Sequence, residues 1–230
     1  VTGPNEYENN VNNNWYTNSI AKWCMDYTVE QINKIENEYP SDYTRIMNKV
    51  KLSQAEISAM KKVADNMYFP YSEEHGVYLQ QDGFLDKELI TVVDLDKSQR
   101  PINQKWSWDR ILRSPYIKQA DTLQGFYFFE DHFTKEQLEK HFDFYEPFTV
   151  HESSLSPCVH SIQAAVLGRM EQAYTFYLRT SRLDLDDYNK EVEEGLHITS
   201  MAGTWMSIVE GFGGMRVRNN QLHFEPKIPA

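Results

Sequence analysis

The sequence contains few cysteines and no excess of positive charge. Cys24 and Cys158 are its two cysteines. They stand at no metal-ligand spacing, and two cysteines fit free thiols in a reducing, cytoplasmic setting better than a disulfide framework. The 23 Lys and Arg residues are outnumbered by 34 Asp and Glu residues, for a net charge of −11. Nucleic acid is therefore not expected as a partner, because no basic block is present to neutralise phosphates.

Long apolar runs are also missing from the sequence. No run of about eighteen apolar residues, the length that spans a membrane, occurs in the chain. The first residues do not combine a charged region with an apolar stretch, so neither a signal peptide nor a membrane partner is expected. The start at Val1 and the end just after a predicted strand are typical of a segment cut from a longer protein.

The composition is that of a folded, mainly helical protein. Hydrophobic residues make up 40% and aromatic residues 13% of the chain, enough for one large core or two modest ones. Apolar spacing and capping signals, such as the capping box of Ser53 and Glu56, predict a series of helices. These cover residues 15–37, 53–67, 106–113, 120–130, 135–144, 157–180 and 201–212. The irregular stretch 68–106 predicts functional loops with short strands at 77–80 and 90–93.

The sequence pattern changes near the end of the chain. After Gly214, the segment MRVRNNQLHFEP reads as a β-hairpin that turns at Asn219 and Asn220. Helix pairs with long loops at one end favour an α-barrel or toroid over residues 1–214. Residues 215–230 are expected to start a separate β-domain.

Glu6 is the first candidate for chemistry, in the stretch GPNEY at residues 3–7. Gly3, Pro4 and Asn5 favour a tight turn, which places Glu6 on a loop at the mouth of a helix. Aromatic neighbours are expected to desolvate its carboxyl group, raise its pKa and keep it protonated as a general acid. The alternative is an acidic side chain that complements a helix dipole.

A second candidate is the stretch HESSLSPCVHS at residues 151–161. Ser156 and Pro157 predict a helix start, so His151, Ser153 and Ser154 fall in the loop before it. Hydroxyls, an imidazole and free amides at a helix N-terminus make an anion site, with ordinary capping as the alternative. A zinc site of the H-E-x-x-H type is excluded because Leu155 replaces the second histidine.

Three further stretches carry polar groups. Lys118 and Gln119 offer donors and an acceptor for sugar hydroxyls, or simply a polar helix start. His197, in the first turn of an apolar helix, is either a core residue or a side chain that faces a barrel interior. The acidic run 184–187 lacks the spacing of a calcium loop and is interpreted as a solvated face.

These motifs, in this order, resemble the glycoside phosphorylases of the maltose, trehalose and kojibiose type, glycoside hydrolase family 65. The resemblance runs from Val1 to the end and implies the second half of an (α/α)6 barrel with the first strands of a C-terminal β-sandwich. It also implies residue roles. Glu6 would be the general acid, Lys118 and Gln119 would hold the donor glucose, and phosphate would contact Ser153, Ser154 and His197. Many relatives have GPDEY followed by His, whereas Asn5 and Glu8 stand here.

The activity implied by the resemblance is inverting phosphorolysis of an α-glucosyl disaccharide. Maltose is the expected substrate, and the products would be β-D-glucose 1-phosphate and D-glucose. Inorganic phosphate would be a co-substrate, with no cofactor or metal, and the protein is expected to be a homodimer. Trehalose or kojibiose are alternative substrates. A hydrolase on the same scaffold would need a second carboxylate near His197, where Glu193 and Glu194 belong to a run predicted to be solvated. A non-enzymatic sugar-binding or assembly module is the remaining alternative.

Overall fold

The computed structural model describes residues 1–229 and is mainly helical. The α-helices are α1 Trp15–Glu38, α2 Pro40–Val50, α3 Gln54–Asp65, α4 Ile102–Lys105, α5 Trp108–Leu112, α6 Thr122–Phe128, α7 Lys135–Tyr145, α8 Pro157–Leu167, α9 Met170–Ser181 and α10 Ile198–Met206. The strands are β1 Tyr71–Ser72, β2 Val77–Tyr78, β3 Arg216–Arg218 and β4 Gln221–His223. A π-helical turn, Ser207–Phe212, extends α10. None of the helices in the described part combines the length and apolarity needed to cross a membrane.

Local capping signals explain where several helices begin. The predicted capping box at α3 is confirmed: Glu56 N donates to Ser53 Oγ at 3.3 Å and Ser53 N donates to a Glu56 carboxylate oxygen at 2.8 Å. Helix α1 is capped by Asn14, whose side-chain oxygen accepts from Thr17 N at 2.8 Å. Helix α2 was not predicted, although Pro40 at its first position is a recognised start signal.

The prediction of one helix over residues 157–180 was wrong. The chain forms two helices there, α8 and α9, which pack against each other. The break lies at Gly168, whose φ of 84° places it in the left-handed region that ends a helix. Helix α8 is buried along most of its length and packs against α7, α9 and α10. It is the central element of the main core.

Short strands contribute two hairpins and one bridge. The strand predicted at 77–80 is confirmed in part as β2, which pairs with β1, while the one predicted at 90–93 is wrong because that segment forms turns. The C-terminal hairpin of β3 and β4 is confirmed, with φ of 50° and 58° at Asn219 and Asn220. An isolated parallel bridge joins Ile117 to Thr149. It sets the chain just before Lys118 beside the chain just before His151.

Gly125 on α6 gives the packing a sharp stability test. A Cβ atom at this position would lie 2.4 Å from Cζ3 of Trp15. The indole is 2% exposed and packs against the rings of Tyr78, Phe126 and Phe133, so a shift of Trp15 would disturb these contacts. We expect Gly125→Ala to destabilise the protein by about 1–3 kcal/mol through overpacking, despite the higher helix propensity of alanine. Thermal unfolding of the variant measures this cost.

The same substitution in a second variant of the protein controls for other effects of the alanine on stability. In a Trp15→Phe background, the smaller ring removes the atom that collides, so Gly125→Ala should cost distinctly less. An equal cost in both backgrounds would contradict this account of the contact between α1 and α6.

Candidate active site

The acid loop, residues 3–8, is held in place through Asn5. As predicted, Glu6 lies on a turn, ahead of α1. The buried Asn5 side-chain oxygen accepts from Tyr7 N at 3.1 Å and from Lys118 N at 3.0 Å. These bonds fix the loop against the segment that leads into α6. Asn5, one of the two departures from the family pattern, therefore orients the loop, while the other, Glu8, forms a buried ion pair with Lys87.

The buried carboxylate of Asp121 also anchors this loop. Its role was not predicted from the sequence. One carboxylate oxygen accepts from Asn5 N at 3.1 Å and the other from Asn14 Nδ2 at 3.0 Å. Burial raises the pKa of Asp121 to about 7, although these two hydrogen bonds lower it. A Cβ atom on Gly3 would lie 2.4 Å from both Asp121 and Asn14. Glycine is thus the residue that lets the loop pass over this buried carboxyl group.

Glu6 meets both residues of the predicted sugar-binding pair. Lys118 Nζ donates to one of its carboxylate oxygens, and Gln119 Nε2 donates to the other at 2.9 Å. The predicted rise in pKa is wrong. Partial burial raises the pKa of Glu6. The hydrogen bond and positive charge of Lys118, together with the hydrogen bond from Gln119, lower it by more, so the pKa of Glu6 lies below its ordinary value.

The serine loop, residues 151–156, runs into α8 as predicted. His151 adopts a φ of 54°, and its Nδ1 lies 2.8 Å from Ser156 Oγ, so Ser156 bonds to this ring instead of capping the helix. Ser153 is buried and its Oγ accepts from Leu155 N at 3.2 Å. Ser154 Oγ lies 2.7 Å from the hydroxyl of Thr199 on α10. The loop therefore bridges α8 and α10.

His197 occupies the N-cap position of α10, one residue before the helix begins, and its side chain makes no capping hydrogen bond. Its Nδ1 pairs with Asp184 Oδ1 at 2.6 Å, and its backbone N donates to Asp184 Oδ2 at 2.9 Å. The interpretation of the acidic run as a solvated face is therefore wrong for Asp184, which orients the imidazole. Nε2 is directed away from this bond and lies 3.8 Å from Glu191 Oε2. Glu193 is exposed, as expected.

One cleft of about 620 Å³ connects these parts. Its lining includes Glu6, Gln119, Leu155 of the serine loop and Thr199 of α10. The rest of the wall is largely apolar, from Tyr16, Ala120, Tyr127, Phe128, Cys158, Val159, Ala202 and Met206. Ser153, Ser154 and His197 lie beside this lining in the chain but are not part of it. The structure thus brings Glu6 into direct contact with Lys118 and Gln119, the predicted sugar-binding pair, and joins Ser154 to the cleft through Thr199.

Comparisons with known proteins support the family resemblance that the motifs indicated. The family model for the glycosyl hydrolase family 65 central catalytic domain matches residues 1–206. The chain is 53% identical to a maltose phosphorylase of Bacillus subtilis (strain 168) over 100% of its length, which is 29% of that relative. It is 47% identical to an α,α-trehalose phosphorylase of Thermoanaerobacter brockii, again over the whole chain and 30% of the relative.

A solved structure agrees with these sequence relatives. It is named "Putative kojibiose phosphorylase from human microbiome" and superposes with a TM-score of 0.90 at 38% identity, covering 100% of this chain and 30% of that one. The chain therefore spans about 30% of the length of the proteins it matches.

Proposed function

The chain belongs to glycosyl hydrolase family 65, and on this premise we propose that it forms part of the active site of an inverting disaccharide phosphorylase. One observation carries the proposal: Glu6, bonded to Lys118 and Gln119, opens onto the same cleft as Leu155 and Thr199. The candidate proton donor therefore lines a cavity that also reaches Leu155 and Thr199, which neighbour the candidate anion-binding residues in the chain. This is the arrangement that cleavage of a glycosidic bond by phosphate needs.

In the proposed reaction, Glu6 gives its proton to the glycosidic oxygen while an oxygen of HPO₄²⁻ attacks the anomeric carbon from the opposite face. The bond between the anomeric carbon and the glycosidic oxygen breaks, which inverts the configuration and releases a β-glucose phosphate and a free sugar. The proton lost by the attacking phosphate replaces the one that Glu6 delivered. Because phosphate is already a nucleophile, no second carboxylate is needed to activate water.

Glu6 must carry a proton to act as the acid, although Lys118 and Gln119 favour its ionised form. Two features of the proposed complex raise its pKa. A phosphate anion close to Glu6 disfavours a second negative charge. Sugar hydroxyls that accept hydrogen bonds from Lys118 and Gln119 compete with the Glu6 carboxylate for those donors. Substrate binding and protonation of the acid would therefore be coupled.

At the anion site we propose that phosphate is bound by Ser153, Ser154 and His197. The serine hydroxyls belong to a loop that leads into the N-terminus of α8, where free backbone N–H groups favour an anion. Asp184 engages Nδ1 of His197 and so fixes the ring, which leaves Nε2, 3.8 Å from Glu191 Oε2, as the nitrogen that would meet phosphate. We propose that no cofactor takes part and that phosphate, which is consumed in the reaction, is a co-substrate.

Maltose is the proposed substrate, since the chain shares 53% of its residues with a maltose phosphorylase. We also propose the expected division: residues 1–214 as the second half of an (α/α)6 barrel and residues 215–230 as the start of a β-sandwich. The helical content and the family match support the first part. The proposed homodimer rests on the family resemblance. The proposed cytoplasmic location rests on the two cysteine thiols.

The test uses the full-length protein that contains this sequence. It is incubated with maltose, with and without inorganic phosphate, and both glucose and glucose 1-phosphate are measured. We expect equal amounts of the two products, strictly dependent on phosphate. Glucose release without phosphate would make the protein a hydrolase, with Asp184 or Glu191 as the carboxylate to examine. Turnover of trehalose or kojibiose but not maltose would change the proposed substrate alone.

A further inference from the structure

A buried carboxylate joins the acid loop to the serine loop. Glu152, directly before Ser153, is 5% exposed and accepts hydrogen bonds from three separate groups. Its Oε2 accepts from the Tyr7 hydroxyl at 3.0 Å and from Ile102 N at 2.9 Å, and its Oε1 accepts from Arg100 Nε at 3.1 Å. Glu152 has no part in the proposed binding of sugar or phosphate or in the proposed proton transfer.

Tyr7 is the other end of this link and directly follows Glu6. Its side chain is 1% exposed. Burial, and then the negative charge of Glu152, raise the pKa of Tyr7 far above its ordinary value, so its hydroxyl always donates. Hydrogen bonds from a fixed donor to a buried carboxylate are among the stronger ones in proteins. The contact therefore restrains the acid loop and the serine loop relative to each other.

We propose that Glu152 is a positioning residue that, through Tyr7, sets the separation between the proton donor and the phosphate site. The inference rests on the proposed function. Glu6 and Ser153 are each one residue away from the Tyr7–Glu152 bond, so a shift of either partner moves one reacting group against the other. Arg100 balances the charge of Glu152 and also donates to Val150 O, which holds the base of the serine loop. Small misplacements of reacting groups reduce rates strongly.

The experiment compares Tyr7→Phe, Glu152→Gln and the double variant in the full-length protein. Tyr7→Phe keeps the ring and removes one hydrogen bond. We expect kcat for phosphorolysis to fall by roughly ten- to a hundredfold in each single variant, with the KM for maltose within about twofold. The double variant should lose little more than the worse single variant, because both changes break the same link.

Tyr145→Phe is the matched control. The Tyr145 hydroxyl donates to Tyr78 O at 2.7 Å in the core and does not line the cleft, so its loss should lower the melting temperature and leave kcat unchanged. If Tyr7→Phe behaves like this control, with wild-type kcat and only a lower melting temperature, the positioning role is wrong. Losses that multiply in the double variant would also overturn it. A wild-type protein without phosphate-dependent turnover would instead refute the proposed function itself.

Discussion

Glu6→Gln is expected to lower kcat for phosphorolysis of maltose by roughly two to four decades, the range that general acid catalysis contributes. Glutamine keeps the size of the side chain and an oxygen that Gln119 Nε2 can reach, but it has no proton to give. The KM for maltose should change little, since the lost interaction belongs to the transition state. Initial rates of glucose 1-phosphate formation in the full-length protein measure the effect.

Two controls distinguish the loss of the proton donor from a general disturbance of the active site. Glu193→Gln removes an exposed carboxylate and should leave kcat unchanged. An α-glucosyl fluoride needs little help from an acid because fluoride is a good leaving group, so Glu6→Gln should retain far more of its activity on this substrate than on maltose. Equal losses on both substrates would contradict the assignment of Glu6 as the proton donor.

Lys118→Met should produce the second large effect, a change in the pH profile combined with weaker catalysis. Lys118 lowers the pKa of Glu6, while partial burial raises it. Without the ammonium group, the pKa of Glu6 rises, so the carboxyl group stays protonated to higher pH. The alkaline limb of kcat/KM, which reports the acid in the free enzyme, should therefore move to higher pH. The maximum of kcat/KM should fall by about ten- to a hundredfold, the value of one charged hydrogen bond to the sugar.

Lys118→Arg provides the comparison because it keeps the positive charge beside Glu6. Its alkaline limb should stay close to that of the wild type, even if the altered shape weakens sugar binding. An alkaline limb that does not move in Lys118→Met would mean that Glu6 is not the group whose ionisation limits the reaction.

The parts of the fold that could be predicted are those with local causes. The start of α3 follows from a serine and a glutamate three residues apart, and the turn before Glu6 follows from the backbone preferences of glycine, proline and asparagine. The break between α8 and α9 also has a local cause, Gly168, but continuous apolar spacing on both sides of it favoured one long helix. Helix α2 was also missed, although Tyr43, Ile46, Met47 and Val50 recur at helical spacing and Pro40 marks its start.

The site could be predicted only as separate pieces. The motifs select Glu6, Lys118 and Gln119 as candidates, but nothing in their spacing shows that a carboxylate at one end of the chain bonds to an ammonium group more than a hundred residues away. The direction of the shift in the Glu6 pKa depends on that contact, which cannot be seen in the sequence, so the predicted direction was reversed. Asp184 was likewise interpreted from its acidic neighbours, whereas the fold pairs it with His197.

The most direct test of the account is the anomeric form of the first product. The full-length protein is mixed with maltose and inorganic phosphate, and proton NMR follows the anomeric signals before the free sugar equilibrates. A single inverting displacement with Glu6 as acid predicts that β-glucose 1-phosphate forms first, with glucose in equal amount. Formation of α-glucose 1-phosphate would show retention of configuration and contradict the proposed mechanism.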